Sequence, residues 1–237
     1  MRNTKKRMRV LVLAALGLLV FIVLPLAAQT AQADQAARAG RTDRSDRMLA
    51  GRELLDALRN GGYTIYFRHA PTDWSQNDNV DKAGDWTSCD PGRMRQLSDR
   101  GREVAVRIGR TIEELDIPVG EVLSSEYCRA VETARLMDLG EVTSTRSLMN
   151  MRVAGMVGGR EEVVRRAREL IGTRPAQGSN TVMVAHGNLM RAATDTYAGE
   201  AGAAVFEPEG NGRFSLVARI DPQQWRELQK LQGAGIQ

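Results

Sequence analysis

The stretch Thr181-Val-Met-Val-Ala-His-Gly-Asn-Leu-Met-Arg-Ala192 decides the fold. Its first five residues are apolar or β-branched and carry no charge, which reads as a short strand buried on both faces. His186 and Gly187 follow, and residues 188–197 then read as a helix. A buried strand running straight into a helix is the unit of an α/β sheet. The carboxyl end of such a strand is where open sheets place their ligand crevice. A second stretch repeats the pattern: in Tyr63-Thr-Ile-Tyr-Phe-Arg-His-Ala70 a strand over 63–67 ends at Arg68 and His69. These are the only two histidines of the chain. Histidine titrates near neutral pH and serves as nucleophile, base or ligand. Two of them at matching strand ends point to one site built from both.

Working outward, strands and helices alternate. Residues 51–59 have helical apolar spacing, stopped by Asn60-Gly61-Gly62. Residues 71–92 hold Asp, Asn, Gly and Trp without a period and read as a long loop over the site. A helix starts near Ser98 and runs to Leu115, with Val104, Ile108, Ile112 and Leu115 on one face. Short strands at 121–124 and 142–144 flank a helix at 128–137, and a charged helix at 160–171 follows Gly158-Gly159. Residues 203–206 and 213–220 read as two strands of a hairpin around Pro208–Gly212. Asp221 is placed to cap a last helix with Pro222 at its first position. The predicted fold is a three-layer α/β/α sandwich with a mostly parallel central sheet, a single domain over residues 51–237.

The amino-terminal segment differs from the rest. Residues 1–9 are basic, Val10 to Leu24 carry no charge, and Ala31-Gln-Ala33 is a small-x-small pattern. This is the layout of a signal peptide cleaved after Ala33, the alternative being an uncleaved membrane anchor. Residues 34–50 read as a flexible linker. The expected location is therefore extracytoplasmic, periplasmic or extracellular. Setting aside the five basic residues of 1–33 leaves 28 basic against 29 acidic residues. The chain's basic balance thus belongs to the targeting segment and gives no reason to expect nucleic acid as a partner. The membrane is expected as a partner only through that segment.

Three blocks carry the chemistry. Arg68-His69 sets an imidazole beside an anion clamp. Leu123-Ser-Ser-Glu-Tyr-Cys-Arg-Ala-Val-Glu-Thr-Ala134 places Arg129 in the first turn of a helix, where free amides and the dipole already favour anions. His186 stands between its strand and its helix. In this order the blocks resemble the histidine phosphatase superfamily, in its phosphoglycerate-mutase-like branch, across most of residues 63–220.

The resemblance implies a metal-independent phosphomonoesterase without a cofactor, and the layout of residues 1–33 adds the expectation that it is exported. His69 would be the nucleophile, and Arg68, Arg129 and His186 would hold the phosphoryl oxygens. Phosphoryl transfer asks mainly for positioning and charge neutralisation, which two arginines and a histidine provide. Two departures stand out. Ala70 replaces the glycine of the family's Arg-His-Gly. The stretch Ser144-Thr-Arg-Ser-Leu-Met-Asn-Met-Arg152 has no acid where the mutases carry glutamates, so a mutase role is disfavoured. The candidates for a proton donor are Asp73, Asp85, Asp90 and Glu200. A catalytically weak phosphate- or phosphoprotein-binding module is the competing reading. The expected partner is a small phosphorylated molecule: a sugar, a lipid head group or a phosphopeptide.

Cys89 and Cys128 are the only cysteines. Cys89 to Arg95 fits the Cys-x5-Arg loop of cysteine phosphatases, but residues 84–88 do not form the strand such a loop needs. The two cysteines read either as a disulfide, which would staple the loop to the anion site, or as two unpaired thiols.

Overall fold

The computed structural model describes residues 48–233. The expected signal or anchor at 1–33 and most of the linker lie outside the described residues. The linker's last residues are not loose. Leu49 is buried, and its N–H donates to Val217 O at 2.6 Å. An apolar side chain next to an exposed strand carbonyl finds both a core and an acceptor there.

Among the described residues six α-helices and six strands follow. They are α1 (Gly51–Asn60), β1 (Thr64–Arg68), α2 (Asp99–Glu114), β2 (Val119–Ser125), α3 (Cys128–Met137) and β3 (Val142–Thr145). Then come α4 (Arg160–Ile171), β4 (Asn180–Ala185), α5 (Gly187–Thr194), β5 (Ala203–Gly210), β6 (Arg213–Ile220) and α6 (Gln224–Gly233). The sheet order is β3-β2-β4-β1-β5-β6. The first four of these pair in parallel, and β5 runs antiparallel to both neighbours. Helices α1, α2, α3 and α6 pack on one another in one outer layer. Helices α4 and α5 pack together and against β1, β5 and β6. The sandwich and its mostly parallel sheet are as expected.

The central strands are apolar because both faces are covered. All six residues of β4 are buried, as are Ile65, Tyr66 and Phe67 of β1. Helix α2 begins as expected, with Ser98 accepting the N–H of Gly101 at 3.1 Å. Helices α2 and α3 meet backbone to backbone at Gly109. A Cβ there would lie 1.8 Å from Met137 O, so only glycine admits this approach.

Three boundaries differ from expectation. Helix α5 stops at Thr194, three residues before Tyr197. The Thr194 hydroxyl bonds back to Met190 O at 2.7 Å, and Asp195 turns left-handed at φ 54°. Helix α6 starts at Gln224 rather than Pro222. The Asp221 carbonyl, not its carboxylate, receives the Gln224 N–H at 2.9 Å. Strand β5 continues through Pro208 to Gly210: its pairing with β1 ends at Phe206, and a register shift against β6 falls between Pro208 and Gly210, so the proline's missing donor is tolerated.

The register positions the site. Arg68 pairs with Ala185 across β1 and β4. The next residues, His69 and His186, therefore leave the sheet side by side, and their ring centroids are 5.6 Å apart.

Candidate active site

His69 is buried at the end of β1. Its Nδ1 lies 3.0 Å from Ala70 O. A carbonyl only accepts, so Nδ1 carries the proton and Nε2 keeps its lone pair. Burial first, then the charge of Arg129, holds the imidazole pKa well below its ordinary 6.5. The ring is neutral at neutral pH, as a nucleophile must be.

His186 is the residue before α5, also buried, with Nε2 2.9 Å from Ser125 Oγ at the end of β2. Burial, then Arg129 and His69, lowers its pKa in the same direction. The Tyr127 ring meets it edge-on at 4.7 Å. On its other side Tyr127 carries the Arg129 guanidinium, 4.5 Å from the ring centre.

Arg129 is the second residue of α3 and is 2 % exposed. Its Nη1 and Nη2 donate to the two oxygens of Asp78 at 2.8 and 3.0 Å, and Nη1 also donates to Arg95 O at 3.2 Å. Arg68 hydrogen-bonds the Tyr197 hydroxyl and lies 3.5 Å from a Glu200 oxygen. Arg68 and Arg191 both sit over the Tyr197 ring, at 5.6 and 4.8 Å. Gly187 makes room for this arrangement: a Cβ would lie 2.8 Å from the Tyr197 ring and 3.0 Å from Arg68 Cδ.

His69, His186, Arg129, Asp78, Arg68 and Tyr197 border one cavity of about 360 Å³. Arg95, Arg152 and Arg191 border it too, so five arginines face a single small space. Among the described residues, four buried side-chain nitrogens have no partner. Three of them, Arg95 Nε, Arg129 Nε and His186 Nδ1, belong to residues of this cavity. Unpartnered buried polar atoms are rare in folded proteins, and the two guanidinium N–H groups among these three call for an acceptor-bearing ligand. Among the described residues no group of three or more His, Cys, Asp or Glu side chains could hold a metal ion.

Residues 65–173 match the family model described as histidine phosphatase superfamily (branch 1). Over this segment, just under half of its length, the chain is similar to that superfamily. Its class of activity is accordingly that of a phosphatase, a hydrolase of phosphoesters. The matched residues include Arg68, His69 and Arg129 and stop before His186, whose place in the site rests on the geometry above.

No curated protein matches the chain. Among solved structures it is similar to the protein histidine phosphatase SixA complexed with tungstate (14 % identity, 68 % of this chain and 97 % of that one, TM-score 0.46). It is also similar to a mycobacterial glucosyl-3-phosphoglycerate phosphatase (19 %, 68 % and 100 %, TM-score 0.48). A third is a phosphoserine phosphatase from Entamoeba histolytica in complex with 3-phosphoglyceric acid (14 %, 69 % and 98 %, TM-score 0.47).

The four acids expected as proton donors lie apart from the cavity. Asp73 is turned to Ser75 and Gln76, and the Ser75 hydroxyl, then the Ser75 N–H, holds its pKa below the usual carboxylate range. Asp85 accepts the N–H groups of Lys82 and Asp81 at 3.0 Å each and faces Arg93, which makes it a fastener of its own loop. Asp90 accepts the N–H of Gly92 at 2.9 Å on the surface. Glu200 alone touches a site residue: it faces Arg68 and accepts from the Thr72 hydroxyl at 2.9 Å. The carboxylate that does border the cavity is Asp78, which sequence reasoning passed over among the many aspartates of that loop. Arg95 was visible only as the end of a Cys-x5-Arg pattern, attached to the wrong chemistry.

Cys89 and Cys128 form a disulfide, which removes the thiolate reading. The bond ties the long loop to α3 at the residue before Arg129.

Proposed function

We propose that the protein is a metal-independent phosphomonoesterase that works through a phosphohistidine on His69, acting on an extracytoplasmic phosphoester. The carrying observation is the set of three unpartnered buried nitrogens at the cavity of a neutral, tautomer-defined His69. Nε2 of His69 attacks phosphorus and the ester oxygen leaves with its electron pair, taking a proton from solvent. Water then attacks the phosphorylated nitrogen, releases inorganic phosphate and restores the free imidazole. Arg68, Arg129 and His186, with Arg95 beside them, hold the phosphoryl oxygens. His186 serves as a donor when Ser125 Oγ–H points to its Nε2, which puts the ring hydrogen on Nδ1.

A groove of about 1230 Å³ lies beside the cavity, and Trp74 borders both. That is room for the alcohol part of a sugar phosphate, a lipid head group or a phosphopeptide. The layout of residues 1–33 supports export, and the Cys89–Cys128 bond fits an oxidising compartment.

The test is hydrolysis of a panel of phosphoesters, aryl phosphate included, with His69→Ala as control and acid-quench trapping of a phosphorylated histidine. Turnover lost in the variant, together with a trapped phosphohistidine, supports the reading. The second reading, a phosphate-binding module, is favoured by the one carboxylate of the cavity being engaged by Arg129. Phosphate binding without turnover would select it.

A further inference from the structure

The five N–H donors of Arg129 can be accounted for one by one. Nη1 and Nη2 grip Asp78 end-on at 2.8 and 3.0 Å. The second Nη1 hydrogen reaches Arg95 O at 3.2 Å. What remains is Nε–H, buried and without a partner, and the outer hydrogen of Nη2. In a planar guanidinium these two hydrogens lie parallel along one edge. That edge can grip two phosphoryl oxygens side-on.

We propose that Asp78 is a positioning residue for phosphoryl transfer: it holds Arg129 end-on so that the Nε–Nη2 edge is left for the phosphoryl group.

Asp78 is itself fixed. It accepts the backbone N–H of Arg95 at 3.1 Å, and its side chain is 5 % exposed against 2 % for Arg129. The Cys89–Cys128 bond secures the same loop to the residue before Arg129. A carboxylate bonded on three sides in so closed a place is a fixture, and the ligand takes the edge it leaves open. Without it, a buried guanidinium would lose its counter-charge and turn toward whatever acceptor it could reach. Arg95 belongs to the same unit, since its carbonyl and N–H meet Arg129 and Asp78 in turn.

The inference rests on the phosphatase reading but is tested apart from it, on binding of inorganic phosphate as well as on turnover. Calorimetric phosphate affinity, kcat and KM for an aryl phosphate, and melting temperature are compared for wild type, Asp78→Asn, Asp78→Glu, Arg129→Lys and the Asp78→Asn/Arg129→Lys double variant. Asp78→Asn is expected to weaken phosphate about tenfold and to lower kcat about a hundredfold, the scale of a misplaced catalytic group. Asp78→Glu keeps the charge and recovers part of both, and it carries the test if the Asn variant does not fold. With Lys at 129 there is no fork to orient, so Asp78→Asn then costs little more. Unchanged or tighter phosphate binding in Asp78→Asn overturns the proposal, as does a loss of the same size with and without Arg129. A wild type that binds phosphate but hydrolyses nothing sinks the phosphatase reading alone, and the binding comparison still decides on Asp78.

Discussion

Thr133 ties the residue after His69 to helix α3. Its hydroxyl accepts the N–H of Ala70 at 3.0 Å and donates to Arg129 O at 2.7 Å, one turn back in α3. The residue after His69 is thereby fastened to the helix that carries Arg129.

Thr133→Val keeps the shape and deletes this link. It leaves the N–H of Ala70 buried without an acceptor, which costs about 1–3 kcal/mol. Urea unfolding should show that loss, together with a lower kcat because His69 is less well placed. A variant with wild-type stability would show that the contact holds nothing in place.

Gly187→Ala tests the crowding behind Arg68. The new methyl would meet the Tyr197 ring at 2.8 Å and Arg68 Cδ at 3.0 Å, so both must move. The expected result is a higher KM and a lower kcat for small phosphoesters, by about tenfold or more. Unaltered kinetics would mean that Arg68 is not held in the position on which the site depends.

Stability should fall on mild acidification. Both histidines are held well below their ordinary 6.5, chiefly by burial and then by Arg129. The unfolded chain takes up protons below about pH 6.5 that the folded chain refuses. Stability is therefore complete above that value and is lost as pH drops. The slope is about 1.4 kcal/mol per pH unit for each histidine. Urea midpoints between pH 7.5 and 5 measure it, and His186→Gln should roughly halve the slope. A flat profile would contradict the neutral buried rings.

Reducing the Cys89–Cys128 bond frees a loop closed across 39 residues of chain. The chain-entropy model puts its contribution at about 3–4 kcal/mol. Thermal melts with and without reductant, and of Cys89→Ser/Cys128→Ser, should show a clearly lower Tm. Phosphate affinity should weaken as well, because the loop that carries Asp78 and Arg95 is released. An unchanged affinity in the reduced protein would mean that the loop holds its place without the bond.

Much of this was legible in the chain because it is local. Apolar runs of five or six residues gave β1 and β4, and the residues just past them had to emerge at the same end of a parallel sheet. That brings Arg68, His69, Arg129 and His186 to one cavity. What stayed hidden depends on the chain folding back. Asp78 sits among other aspartates in a segment without a period, and only the closed loop sets it against Arg129. The end of α5 at Thr194 is governed by a left-handed Asp195, which apolar spacing does not encode. Leu49 looked like part of a polar linker because its partner, Val217, is distant in sequence.

Five arginines around a cavity of about 360 Å³, with Asp78 and Glu200 as their acidic neighbours, act over a distance as well as in contact. Their summed field gathers anions from solution and speeds encounter at low ionic strength. The same field does not distinguish arriving ester from departing phosphate. A site that attracts its substrate in this way holds its product by the same charges. Added salt should then shorten the stay of phosphate even as it slows the capture of substrate.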